Sequence, residues 1–173
     1  VSAEETLSQL MTLLTTRTPL TNNLLDMTGW VPGTVGNAVG ANGGTFGALG
    51  LQTESNVLLY PGPLGADQPI WVATGSDLGA QDGGWYYANI PVDETLAYRS
   101  SVWVYAVNGF DGKTTFAASE PNCVNLDGSP TVNTYFMDGD VPVQNKWYLL
   151  VGVIHGSGYA GSYSGLGGIY DPV

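Results

Sequence analysis

The residues of this chain that are able to do chemistry are few and scattered. Its one histidine, His155, follows an apolar run and precedes Gly156-Ser157-Gly158-Tyr159. A catalytic triad needs a nucleophile and a carboxylate brought to such an imidazole. No Gly-x-Ser-x-Gly elbow occurs, and Gly156-Ser157-Gly158 is too short to form one. His155 is therefore read as a surface or turn residue. Paired carboxylates are the next candidate, as in a glycosidase cleft. The chain has 15 acids, most of them in Gly/Asn/Pro turns where Asp bonds to its own backbone. Asp138-Gly139-Asp140 has the acid spacing of part of a calcium loop. Calcium takes six to eight oxygens, from carboxylates and loop carbonyls. The EF-hand pattern is missing, and the nearest acid upstream, Asp127, sits in its own Asp-Gly turn. Asp138 and Asp140 are thus candidate calcium ligands, with turn aspartates as the alternative. Gly40-Ala41-Asn42-Gly43-Gly44 lacks a lysine and a following helix, so it is no phosphate cradle. Cys123 is the only cysteine, which excludes an intrachain disulfide and a cysteine-based zinc site.

Aromatic rings are the other resource. Trp30, Trp71, Trp85, Trp103 and Trp147 are many for a chain of 173 residues. Trp103 and Trp147 sit in apolar runs and are assigned to the core. Trp85-Tyr86 leaves an Asp-Gly-Gly turn, and Tyr159 and Tyr163 lie in a glycine-rich tail. Rings beside Asn, Asp and Gly suit sugars, whose C–H faces stack on them while hydroxyls bond to amides and carboxylates. Trp85, Tyr86, Tyr159 and Tyr163 are the candidate ligand-binding residues, against the alternative that the loop rings pack on their own domain.

Charge narrows the partners. Lys and Arg number 4 and Asp and Glu 15, giving a net charge of −11 and a pI near 4.1. Four cations cannot neutralise a row of phosphates, so nucleic acid is not an expected partner. The same shortage argues against an anionic membrane surface. No apolar run approaches the ~20 residues that span a bilayer, so no membrane insertion is expected. No basic stretch followed by an apolar one opens the sequence, and no signal peptide is read.

Two unequal parts must position these residues. In 1–18, Leu7, Leu10, Met11 and Leu14 recur at helical spacing on one face. Ser2 and Glu5 are placed as a capping box, and Pro19 ends the helix. A helix this short is marginal alone and needs a partner, either its own domain or copies of itself through a heptad seam. The part from 19 to 173 is a series of strand-like runs between turn clusters. They are Val57–Tyr60, Pro69–Thr74, Trp85–Ile90, Tyr98–Val107, Lys113–Ala118 and Trp147–Ile154. Spacing near a dozen residues indicates an antiparallel sandwich or barrel. Tyr98–Val107 and Trp147–Ile154 are apolar on both faces, which predicts that both faces are covered. Gly152 breaks one face, marking a bulge or a close approach. Residues 31–50 read as a wandering loop with one weak strand near 45–51, and Gly168–Tyr170 as a last strand.

Four stretches carry a family resemblance. They are Asn23-Leu24-Leu25-Asp26-Met27-Thr28-Gly29-Trp30, Gly84-Trp85, Leu96 to Val104 (LAYRSSVWV) and Lys146 to His155 (KWYLLVGVIH), closed by Gly167-Gly168-Ile169-Tyr170-Asp171-Pro172. In this order the chain resembles a jelly-roll domain of bacteriophage and prophage tail fibres. It is also similar to carbohydrate-binding modules of the galactose-binding-like type. The resemblance covers 22–172 and implies a mainly β, antiparallel β-sandwich of jelly-roll type behind the short N-terminal helix. It implies a non-catalytic receptor-binding domain on a virion tail fibre that recognises host cell-surface glycan. Residues 1–18 would then be the end of a coiled-coil stalk, with Leu7, Leu10, Met11 and Leu14 holding a homotrimer. No binding residue of the family transfers to a numbered position here. The alternatives are a bacterial adhesin or secreted carbohydrate-binding module, a polysaccharide depolymerase, and a structural decoration of the virion.

Overall fold

The structure, a computed structural model, describes residues 24–75, 83–88, 90–107, 113–118, 123–129, 134–159 and 167–171. Leu7, Leu10, Met11 and Leu14 lie outside the described residues, as does Tyr163. The chain is mainly β, and every ladder among the described residues is antiparallel. The strands are β1 (Ala38–Val39), β2 (Thr45–Ala48), β3 (Ser55–Pro61), β4 (Asp67–Ala73), β5 (Trp85–Tyr87) and β6 (Tyr98–Tyr105). They continue with β7 (Thr114–Ala117), β8 (Cys123–Val124), β9 (Tyr135–Gly139), β10 (Trp147–Ile154) and β11 (Gly168–Tyr170). The helical elements among the described residues are two short 3-10 turns, at Met27–Gly29 and Gln52–Glu54.

Among the described residues, strands pair only with strands from their own half of the sequence. In the first half, β2 runs between β1 and β5, and β3 and β4 form a hairpin. Phe46 is fully buried there, and the rings of Trp30, Trp71, Trp85 and Tyr87 surround it at 5.1, 6.4, 5.1 and 4.9 Å. Several of these contacts are edge-to-face, the arrangement that ring quadrupoles favour. The N–H groups of Trp30 and Trp71 are buried in this cluster without an acceptor.

In the second half, β10 is the central strand. Its sequence, WYLLVGVI, is β-branched and aromatic, as a strand with neighbours on both sides requires. It pairs with β6 along its whole length, from Trp147 opposite Tyr105 to Ile154 opposite Tyr98. On its other edge it pairs with β11 and β8. The turn into β10 is set by Asn145, whose φ of 59° is left-handed, and whose N–H donates to the Ala106 carbonyl at 2.7 Å. Beneath β10 lies a core of Cys123, Leu126, Phe136, Val141, Tyr148 and Leu150. Gly152 is a point of close approach: a Cβ there would sit 2.4 Å from Cγ of Phe136.

Several expectations are corrected. Tyr98–Val107 is covered on one face only: Val102 and Val104 meet the core, while Trp103, Tyr105 and Val107 are exposed. Trp103 is therefore not a core residue. Residues 31–50 hold two paired strands, with Ala38 opposite Phe46. The Trp85 strand ends at Tyr87, ahead of the expected Ile90. Asp138 and Gly139 belong to strand β9 rather than to a loop.

Candidate functional site

Of the candidate rings, Trp85 and Tyr86 do not share a face. Trp85 and Tyr86 are successive strand residues, so they point to opposite faces. Trp85 turns inward, 6.1 Å from Trp30 and 5.1 Å from Phe46. Tyr86 is exposed and lies over Gly47, where a Cβ would meet its ring at 2.3 Å. Tyr159 is exposed as well, with its ring 6.0 Å from that of His155. His155 itself is half-buried, with Nδ1 3.0 Å from the Gly156 carbonyl.

Of the two acidic candidates, Asp138 is engaged within its own ladder. Asp138 lies across the ladder from Thr115, which donates to it at 3.3 Å, and Lys113 stands 3.5 Å from its other oxygen. A lysine in that position supplies the positive charge that a calcium ion would bring. Among the described residues no group of three His, Cys, Asp or Glu side chains is gathered to hold a metal.

Three other acids have structural work. In Asp26-Met27-Thr28, Asp93-Glu94-Thr95 and Asp127-Gly128-Ser129 the carboxylate accepts both the backbone N–H and the hydroxyl two residues on. These bonds favour the charged form and hold each carboxyl below its ordinary 3.8, the hydroxyl bond contributing most. Asp26 also accepts from the Asn42 N–H at 2.8 Å, which ties segment 24–28 to the β1–β2 turn. The cleft between these segments, with Tyr87 in its wall, is thus lined by a carboxylate already committed to the backbone.

The surface that gathers aromatic groups is one the sequence reading had assigned to the core. Directly opposed residues of an antiparallel pair share a face. Leu149 stands opposite both Trp103 and Tyr170, and Trp147 stands opposite Tyr105. The five side chains therefore form one patch on the face of β6, β10 and β11 opposite Tyr148 and Leu150, a face on which Val151 and Val153, further along β10, are buried. Trp103, Tyr105 and Tyr170 are exposed, and Trp147 and Leu149 half-buried. The rings of Tyr105 and Trp147 are 5.3 Å apart. Along β6 the same face continues through Ser101 to Arg99, both exposed. At the other edge Lys146 pairs with Asp171, and that bond holds the lysine above its ordinary 10.5. The patch is thus apolar in the middle, with charged and hydroxyl groups at its margins. The strict alternation of Ser101, Trp103 and Tyr105 was the available signal. An apolar strand face looks the same in sequence whether a second layer covers it or not.

The class that the fold and this site define is a mainly β, antiparallel chain with an aromatic sheet face. No family model, curated protein or solved structure matches it.

Proposed function

We propose that this chain is a non-catalytic receptor-binding domain of a bacteriophage or prophage tail fibre, built on a jelly-roll β-sandwich. Its ligand is host cell-surface glycan and its working form is a homotrimer on the virion. The observation that carries the reading is the open patch of Trp103, Tyr105, Trp147, Leu149 and Tyr170 on the rigid strands β6, β10 and β11. Rings on adjacent strands, roughly 4.8 Å apart across the sheet, present apolar surface to the C–H faces of sugar rings. Arg99, Ser101 and the Lys146–Asp171 pair stand at its edge to bond hydroxyls and carboxylates. Recognition of this kind needs no general acid, metal or nucleophile. The ordered motifs that resemble tail-fibre domains point the same way.

The test is a glycan array with the intact chain, repeated with Trp103→Ala and Trp147→Ala. Saturable binding to defined host-surface glycans, lost in both variants, supports the reading. Cleavage of a polysaccharide by the intact chain would favour the depolymerase instead. Absence of any glycan binding would leave a structural virion protein. Light scattering with and without residues 1–18 tests the stalk: a trimer that falls to monomer on truncation supports it, and a monomer in both removes it.

A further inference from the structure

The β3–β4 hairpin begins in the core and ends in solvent. Val57 and Leu59 lie on the same face of β3, yet Val57 is 0% exposed and Leu59 57%. Their partners change in step, from half-buried Trp71 to exposed Pro69. The opposite face emerges too, with Leu58 at 41% and Tyr60 at 58%, and Leu64 at the tip is 91% exposed. From Ser55 to Ala73 the only charged residue is Asp67. An ordinary surface hairpin buries one face and wets a polar one; in the outer half of this one β3 is apolar on both sides, and β4 supplies the polar Asp67 and Gln68.

We propose that this hairpin is an arm that clasps a second copy of the chain. Among the described residues nothing covers either face of the arm's outer half. Together Leu58, Leu59, Tyr60 and Leu64 expose on the order of 500 Å² in the single chain, against roughly 800 Å² that each partner gives to a standard interface. The arm alone thus supplies most of one side. With Asp67 as its single charge the arm offers little to charge complementarity, and a chain of net charge −11 meets its copies most closely through its weakly charged parts. A surface that invites aggregation when bare is covered most reliably by a partner made in equal number with it.

The prolines define how the partner sits. Pro61 is opposite Asp67, and Pro69 opposite Leu59. Neither has an N–H, so the outer hairpin is a poor template for adding a further strand. The second copy engages the side-chain faces, not the edge. This inference stands apart from glycan binding, since the arm and the β6–β10–β11 patch share no residue.

The experiment places a photo-crosslinking maleimide on Leu64→Cys in the otherwise intact chain, with labelling kept brief because the buried Cys123 reacts only as its region opens. Crosslinks between copies, with yield rising with concentration, are the expected result. Adding Leu59→Lys and Tyr60→Lys should cut that yield by about tenfold or more, as loss of central apolar anchors does, while circular dichroism stays unchanged because both residues are exposed. Crosslinks only within the chain, or a yield indifferent to the two lysines, overturn the proposal.

Discussion

Phe136 fills the space that a side chain at position 152 would need: an ideal Cβ on Gly152 would stand 2.4 to 2.6 Å from three of its ring carbons. Phe136 is itself buried, so the ring has nowhere to retreat. Gly152→Ala should destabilise the chain by about 1–3 kcal/mol or more. Phe136→Ala should cost about 3–5 kcal/mol. Because the two residues touch, the double variant should be less destabilised than the sum of the singles. Urea denaturation of all three checks this, and strict additivity would refute the contact.

The two aromatic groups should respond in opposite ways. Phe46→Ala opens a cavity in the ring cluster and should cost about 3–5 kcal/mol. Trp103→Ala removes an exposed ring and should change stability by less than about 1 kcal/mol, while abolishing glycan binding. A large loss of stability in Trp103→Ala would mean that its face is covered.

Trp71 offers a finer test of the same cluster. Its buried N–H lacks an acceptor, and an unsatisfied buried donor carries a desolvation cost of about 1–3 kcal/mol. Trp71→Phe removes that donor along with some volume, and the two effects oppose. The net change should stay within about 1 kcal/mol, well below the loss in Trp71→Ala. Thermal and urea unfolding of both variants check the contrast.

Acid should weaken the fold through Asp26, Asp93 and Asp127. All three carboxyls lie below their ordinary 3.8, held there first by Thr28, Thr95 and Ser129. A depressed folded pKa gives stability that is present above the unfolded value and lost as pH falls through the folded one. The urea midpoint should therefore carry their full contribution, unchanging with pH, near neutrality, and fall below about pH 4. Thr95→Val and Ser129→Ala should each move their carboxyl back up toward 3.8, read by NMR titration.

Sequence pattern located the long strands well. Trp147–Ile154 is β10 to the residue, because a continuous β-branched and aromatic run has few other homes. Tyr98–Tyr105 and Thr114–Ala117 also fall inside expected runs. Ala38–Val39 and Cys123–Val124 are too short to carry a period, and β9 was hidden because Asp138-Gly139 reads as a turn. The mainly β character was thus legible from local residue types. The site was less so. Whether Trp103 faces a core or solvent depends on what lies above β6, and no property of Trp103 or its neighbours in sequence encodes that. The Asp-x-Ser/Thr turns were partly legible, since turn chemistry is local.

Cys123 gives the molecule a built-in stopwatch. Its sulfur is sealed beneath β10, with 2% of the residue exposed, and a thiol reagent needs the exposed thiolate. Labelling of the natural chain can therefore proceed only as fast as this region opens. The modification rate in excess reagent converts directly into a frequency of opening, with no probe engineered into the protein.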